Sequence, residues 1–114
     1  MEFTNEPRHA RVARAAIAAT AVLEDFTLER IDDVRLIVDE LFNALVTTGA
    51  SRVTFALTVG PSRLAVTAHG TGSRAVDDEY AVLRVLGDAI APGWSLQTTN
   101  GGVTFAATID ADPG

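Results

Sequence analysis

Arg35-Leu36-Ile37-Val38-Asp39-Glu40-Leu41-Phe42-Asn43 is the stretch on which the reading of this chain turns. It lies within a longer run where Ile31, Val34, Val38, Leu41 and Leu45 recur at three- and four-residue spacing. That spacing predicts an amphipathic helix with one buried stripe. Its polar residues flank the stripe on two sides. Asp39 and Asn43, four apart, share one side; Glu40 and Ala44 share the other, about 100° around the helix. A carboxylate and an amide at that spacing can hold a water and a magnesium ion beside a nucleotide. They can equally be two solvated residues on the outside of a packed helix. Thr27 is the candidate cap of this helix, with Arg30 in place of an acid at the capping-box position, and Gly49 is its expected stop.

Upstream, Asn5 and Pro7 suit the start of another helix. It runs to about Leu23, is rich in alanine, and repeats Val12, Ala16, Ala19 and Leu23 at helical spacing, with Arg8, Arg11 and Arg14 on its other faces. Downstream, Val53 to Val59 alternates, placing Val53, Phe55, Leu57 and Val59 on one strand face. Gly60-Pro61-Ser62 is a turn, and Leu64, Val66 and Ala68 form the return strand. His69 to Arg74 reads as a loop. A third helix fits Asp77 to Ile90, with Tyr80, Val82, Leu83, Leu86 and Ile90 as apolar contacts and Pro92-Gly93 ending it. Trp94–Thr98 and Val103–Ile109 read as a second hairpin across Thr99-Asn100-Gly101-Gly102. The order helix, helix, hairpin, helix, hairpin predicts an α+β two-layer sandwich, a mostly antiparallel sheet of four to five strands with three helices on one face. Residues 1–110 form one domain and 111–114 a loose tail.

Composition narrows the function. A 114-residue chain with 47% hydrophobic and 21% charged residues is an ordinary globular domain. No apolar run approaches the roughly 20 residues of a membrane span, and the opening residues lack the basic start and apolar core of a signal peptide. Both point to a cytoplasmic protein without a membrane partner. The chain has no cysteine, so disulfides and thiolate metal sites are excluded. Its net charge of −6 opposes nucleic-acid binding. The cationic charge near the start contrasts with Glu24, Asp25, Glu29, Asp32 and Asp33 just beyond, a polarity suited to contact with another protein.

With these residues in place, the chain resembles the histidine-kinase-like (GHKL) ATPase superfamily of the Bergerat fold. It looks closest to the bacterial anti-sigma factors with serine-kinase activity. Four matches carry the resemblance, in order and over nearly the whole chain. The arginine-bearing first helix precedes the acidic one. Arg35-Leu36-Ile37-Val38-Asp39-Glu40 resembles the approach to the family's N box. Val66-Thr67-Ala68-His69-Gly70-Thr71-Gly72 resembles its strand and D-x-G-x-G motif. Leu86-Gly87-Asp88, then Gly101-Gly102-Val103-Thr104-Phe105-Ala106-Ala107-Thr108-Ile109, resembles its closing helix and G-G-T strand.

The resemblance implies a glutamate that activates the attacking group, an asparagine four residues later on magnesium, an aspartate on the adenine amino group, and a glycine-rich lid over the phosphates. One frame makes Glu40 the glutamate and puts Ala44 where the metal ligand belongs. The other pairs Asp39 with Asn43 and keeps the ligand. At the base, Gly70 and Gly72 are present, but Ala68 stands for the aspartate. His69 belongs on the opposite strand face. Only Ser73 to Val76 remain for a lid. Gly102 is followed by Val103 where the family has threonine, and Thr104 is one residue late. Losing one charge-assisted hydrogen bond removes roughly 1.5–3 kcal/mol, and here the metal, base and phosphate positions all depart from the pattern. Glu40, Asn43, Ala44, Ala68, Gly70, Gly72, Gly102 and Thr104 are thus expected to outline a vestigial nucleotide site, with no cofactor and no metal.

The expected function is that of an anti-sigma-like regulator acting by binding. A sigma factor or an anti-anti-sigma-type protein is its partner class, and homodimerisation is common in the family. Arg8, Arg11 and Arg14, with the shortened loop Gly70–Asp78, are the expected contact surface, since guanidinium groups pair bidentately with carboxylates. A second reading is an active anti-sigma serine/threonine-protein kinase using ATP and magnesium, with Glu40 as base and Asn43 reaching the metal. A third is an α+β interaction domain unrelated to sigma regulation.

Overall fold

The computed structural model describes residues 1–99 and 101–111. Asn100, within the expected second hairpin turn, and 112–114 of the expected tail lie outside the described residues. Strand β1 is Glu2–Thr4, helix α1 Pro7–Leu23, helix α2 Leu28–Thr47, strand β2 Arg52–Gly60 and strand β3 Arg63–Thr71. A short 3-10 helix, Asp77–Tyr80, leads into α3, Ala81–Ile90, followed by β4, Ser95–Thr99, and β5, Gly102–Asp110. The sheet is antiparallel throughout, in the order β1-β2-β3-β5-β4. Three helices cover one face of it, so the α+β two-layer sandwich is the observed architecture.

The apolar stripe of α2 is the keel of the core. Ile31, Val34, Val38, Leu41 and Leu45 are all buried, against alternate residues of the strands: Val53 and Phe55, Leu64, Val66 and Ala68, then Val103, Phe105 and Ile109. The Thr27 side chain accepts a hydrogen bond from the Arg30 amide and caps α2, which the partial capping box already suggested. Gly49, at φ +111°, turns the chain out of the helix in a region closed to most side chains. Arg30 is buried yet fully engaged. Its guanidinium donates to the Asp110 carbonyl at 3.0 Å and the Ile90 carbonyl at 3.2 Å, and pairs with Asp33 at 3.2 Å. It ties the start of α2 to the ends of α3 and β5, and those bonds offset the cost of burying its charge.

Several expectations need correction. The buried residues of α1 are Ala13, Ile17, Ala18 and Ala21, whereas Val12 is 54% and Leu23 80% exposed; with alanine on every face, the stripe Val12-Ala16-Ala19-Leu23 is not the core stripe. His69, Gly70 and Thr71 are strand and not loop, because β3 keeps its pairing with both neighbours to Thr71. The third helix opens with a 3-10 turn, and Val82 faces solvent. Trp94 precedes β4 instead of starting it, and lies against Gly87, where a Cβ would meet its ring at 2.6 Å. Strand β1 was not foreseen as an element; its register on β2 is set by residues about fifty positions away. Ala111 is buried and its amide donates to the Ser62 carbonyl, so this first residue of the expected tail is not loose.

Candidate functional site

Helix α2 divides the candidate residues between two surfaces, as the helical period requires. On the α1 side, Asp39 forms an ion pair with Arg14. Asn43 is exposed and lines a cavity of about 150 Å³ beside Asn5, Pro7 and Ala10. A wider, open groove of about 560 Å³ runs between α1 and α2, lined by Arg11, Arg14 and Arg35 together with Leu36, Asp32 and Asp39. Arg35 pairs loosely with Asp32, at 3.4 Å, and both side chains are more than half exposed. Arg8 does not line this groove; it pairs with Glu6 at 2.6 Å. Arg11 and Arg14 of the expected cluster therefore share a surface, and Arg35 joins them. Its place depended on how α1 packs on α2, which no local signal in the sequence specifies.

On the α3 side stand Glu40, Ala44 and Thr48, each one turn from the next. Burial pushes the Glu40 carboxyl above its ordinary range. Ala44 is 1% exposed and offers no oxygen. The Thr48 hydroxyl is committed: it donates to the Ala44 or Leu45 carbonyl and lies 2.8 Å from the Tyr80 hydroxyl. Tyr80 is wholly buried. Desolvation raises its phenol above the ordinary value, against the lowering effect of hydrogen bonds with Thr48 and Ser73. Tyr80 is the residue of most consequence here, and sequence reasoning placed it among core contacts without linking it to the site.

The glycine-bearing ends of β3 and β5 close the same region. Ala68 is 0% exposed and points into the core, while His69 turns to the other face, where its Nδ1 lies 2.8 Å from the Thr104 hydroxyl. Thr104 is therefore on the open side of the sheet, away from Glu40, and also contacts the Thr99 hydroxyl. A Cβ on Gly70 would come within 2.9 Å of Ser73 Oγ and 3.0 Å of Leu45. Gly102 approaches Gly70 so closely that a Cβ would sit 2.0 Å from its carbonyl oxygen. These glycines make room for packed protein. Gly72, at φ +87°, turns the chain, and its amide donates to the Gly101 carbonyl. The Ser73 hydroxyl donates to the Gly70 carbonyl at 2.6 Å and accepts from the Val103 amide at 2.9 Å, bridging the strands where they part. The Arg74 amide is bound by the Thr48 carbonyl, so the short link to the 3-10 helix lies against the end of α2.

The structure thus brings Gly70 together with Ser73 and Leu45, and Thr48 together with Tyr80, with Ala44 and Ala68 buried; Glu40 lies half-buried two turns before Thr48 on α2, and Asn43 and Thr104 are on other faces. Along the α3 side of α2, Asp33 is paired with Arg30, and the Thr48 hydroxyl is already bonded, which leaves the Glu40 carboxylate without a hydrogen-bonded neighbour four residues on, at Ala44. Among the described residues no three of His, Cys, Asp or Glu gather as a metal site, and no helix is long and apolar enough to cross a membrane. No protein-family model matches the chain, and no curated protein matches it.

Proposed function

We propose that this chain is an anti-sigma-type regulatory protein that works by binding another protein, on a histidine-kinase-like ATPase fold that has lost its nucleotide chemistry. The observation that carries the second half is Tyr80, fully buried and hydrogen-bonded to Thr48 on the face of α2 that bears Glu40 and Ala44. In the family this face looks onto the nucleotide. A buried phenol bonded to Thr48, two turns beyond Glu40, supports this reading, and neither Ala44 nor Ala68 can replace the lost metal ligand or the adenine acceptor. Magnesium-ATP does not fit such a residue set. The first half is supported by the groove of Arg11, Arg14 and Arg35. In a chain of net charge −6 its three arginines outnumber its two aspartates, Asp32 and Asp39, and an acidic segment of a sigma factor or of an anti-anti-sigma-type protein would compete for the exposed Arg35 and Arg11.

Two measurements test the two halves. Titration of magnesium-ATP into the protein should give no heat and no upward shift in melting temperature; sub-millimolar binding would instead support the kinase reading, with Glu40 as base. The native chain, used as bait in its own cytoplasm, should recover a sigma factor or its antagonist. Arg11→Glu with Arg35→Glu should abolish that recovery without changing the melting temperature. Recovery of no such protein, or recovery unaffected by the variant, would leave an α+β interaction domain outside sigma regulation.

A further inference from the structure

Helices α1 and α2 are joined by only four residues, 24–27, and the turn is fixed from both ends. The Phe26 amide donates to the Ala21 carbonyl at 3.2 Å and the Asp25 amide to the Val22 carbonyl at 3.4 Å. These two bonds form the Schellman motif that closes a helix, and Phe26 is buried in the core. The Thr27 cap starts α2 at once, and Arg30 ties that start to the ends of α3 and β5. The residue that closes a Schellman motif has positive φ and is usually glycine. Here it is Asp25, at φ +62°. Its carboxylate takes part in no ion pair among the described residues, and neither do those of Glu24 and Glu29.

Leu28, at 82%, and Leu23, at 80%, are the most exposed large apolar side chains among the described residues, and Val22 beside them is 57% exposed. Single exposed aliphatic residues are ordinary, but three within seven positions of one rigid turn mark an interaction site. From residue 15 to residue 29 the chain carries three acids, Glu24, Asp25 and Glu29, and no base. We propose that this turn docks a basic amphipathic helix of a partner protein. The helix covers Val22, Leu23 and Leu28 with an aliphatic stripe, and its flanking lysine or arginine residues meet Glu24, Asp25 and Glu29.

The chemistry of the turn narrows the occupant. Its main-chain groups are spent on the Schellman bonds and the Thr27 cap, so it offers no edge to an added strand, and recognition falls to side chains. An amphipathic helix presents an aliphatic stripe with charges beside it at three- and four-residue spacing, which complements an apolar patch collared by carboxylates. An acidic partner meets like charge there, and a second copy of this chain, at −6, is such a partner. The same carboxylates repel an anionic lipid surface. The turn has the opposite sign from the groove of Arg11, Arg14 and Arg35, so the two surfaces take different partners. Asp25 serves the same end. Glycine would close the turn with less strain, and the carboxylate that stands there instead has its use outside the chain.

The probe is a designed helical peptide with leucine on one face and lysine on its flanks, and the control is the same peptide with glutamate for lysine. Nuclear magnetic resonance of the isotope-labelled full chain should show saturable shifts in the amides of residues 22–29 with the lysine peptide and none with the glutamate peptide. Leu23→Ser with Leu28→Ser, both exposed positions, should weaken binding about tenfold or more without lowering the melting temperature. Asp25→Gly should keep or raise the melting temperature and still weaken binding about threefold. Asp25→Asn, also suited to positive φ, should keep the fold and bind as weakly as Asp25→Gly. Shifts centred on another surface, binding that the leucine substitutions leave intact, or folded Asp25 variants that bind as well as the native chain would overturn the proposal. So would cosedimentation with phosphatidylglycerol vesicles that the leucine substitutions abolish, which would make the turn a membrane contact.

Discussion

The two flanks of α2 carry similar residues and do opposite things. Toward α1, Asp39, Asn43 and Arg14 are accessible to water and to partners. Toward α3, Ala44 and Thr48 are buried, Thr48 is hydrogen-bonded to the buried Tyr80, and Glu40 is half-buried. The amide that could ligate a metal is on the open flank, and the glycines that could cradle a base are on the closed one. A helix cannot present one residue pair to both, because one step along the chain is about 100° of rotation. A shift of a single position between carboxylate and amide is thus enough to separate the two halves of a site.

This contrast sets an order of energetic effects. Tyr80→Ala should be the most damaging, since it empties a wholly buried aromatic site; a loss of about 3–5 kcal/mol in urea unfolding is expected. Thr48→Val keeps the shape but takes one of two hydrogen-bond partners, the other being Ser73, from a buried phenol, so about 1 kcal/mol should be lost. Tyr80→Phe should recover part of that loss when combined with it, because no half-bonded hydroxyl remains. The open flank should matter least for stability. Arg14→Ala and Asp39→Ala, taken as a double-mutant cycle, should give a coupling of about 0.2–1 kcal/mol that shrinks as salt is added. A larger coupling at Arg14–Asp39 than at Thr48–Tyr80 would reverse the assignment of structural and binding flanks.

How much of this could be read beforehand differs from element to element. The α2 stripe and its Thr27 cap were legible because large aliphatic residues recur on one face only and the capping hydroxyl sits beside it. In α1 the buried positions are mostly alanine, and Val12 and Leu23 are larger than the residues that are buried. Periodicity then selects the wrong face, and the excess of apolar residues outside it marks a surface. Gly70 and Gly72 look alike in sequence. One is there because Ser73, Leu45 and Ala50 leave no room for a Cβ, the other because the chain turns at positive φ; only the second is a loop residue. The separation of Glu40 from Asp39 was visible from helical geometry alone. That Tyr80 bonds Thr48 was not, because it depends on where a short 3-10 helix docks after a five-residue link.

The smallest effect is the most diagnostic in sign. Burial raises the Glu40 carboxyl above its ordinary value of 4.5, so the folded chain holds that proton more tightly than the unfolded chain does. Stability linked to Glu40 is therefore greatest below pH 4.5 and falls as pH rises through the ordinary value and the higher folded one. At neutral pH the ionised carboxylate is a cost. Glu40→Gln should thus stabilise the protein at pH 7, within the ~0.5 kcal/mol of ordinary surface substitutions, and the gain should vanish as pH falls below 4.5. Asp39→Asn, which removes the charge paired with Arg14, should instead destabilise at pH 7. Paired urea titrations of both variants at pH 7 and pH 4 decide the matter. If Glu40→Gln destabilises at pH 7, the carboxylate has a favourable partner on the closed flank, and that flank still holds a working charge.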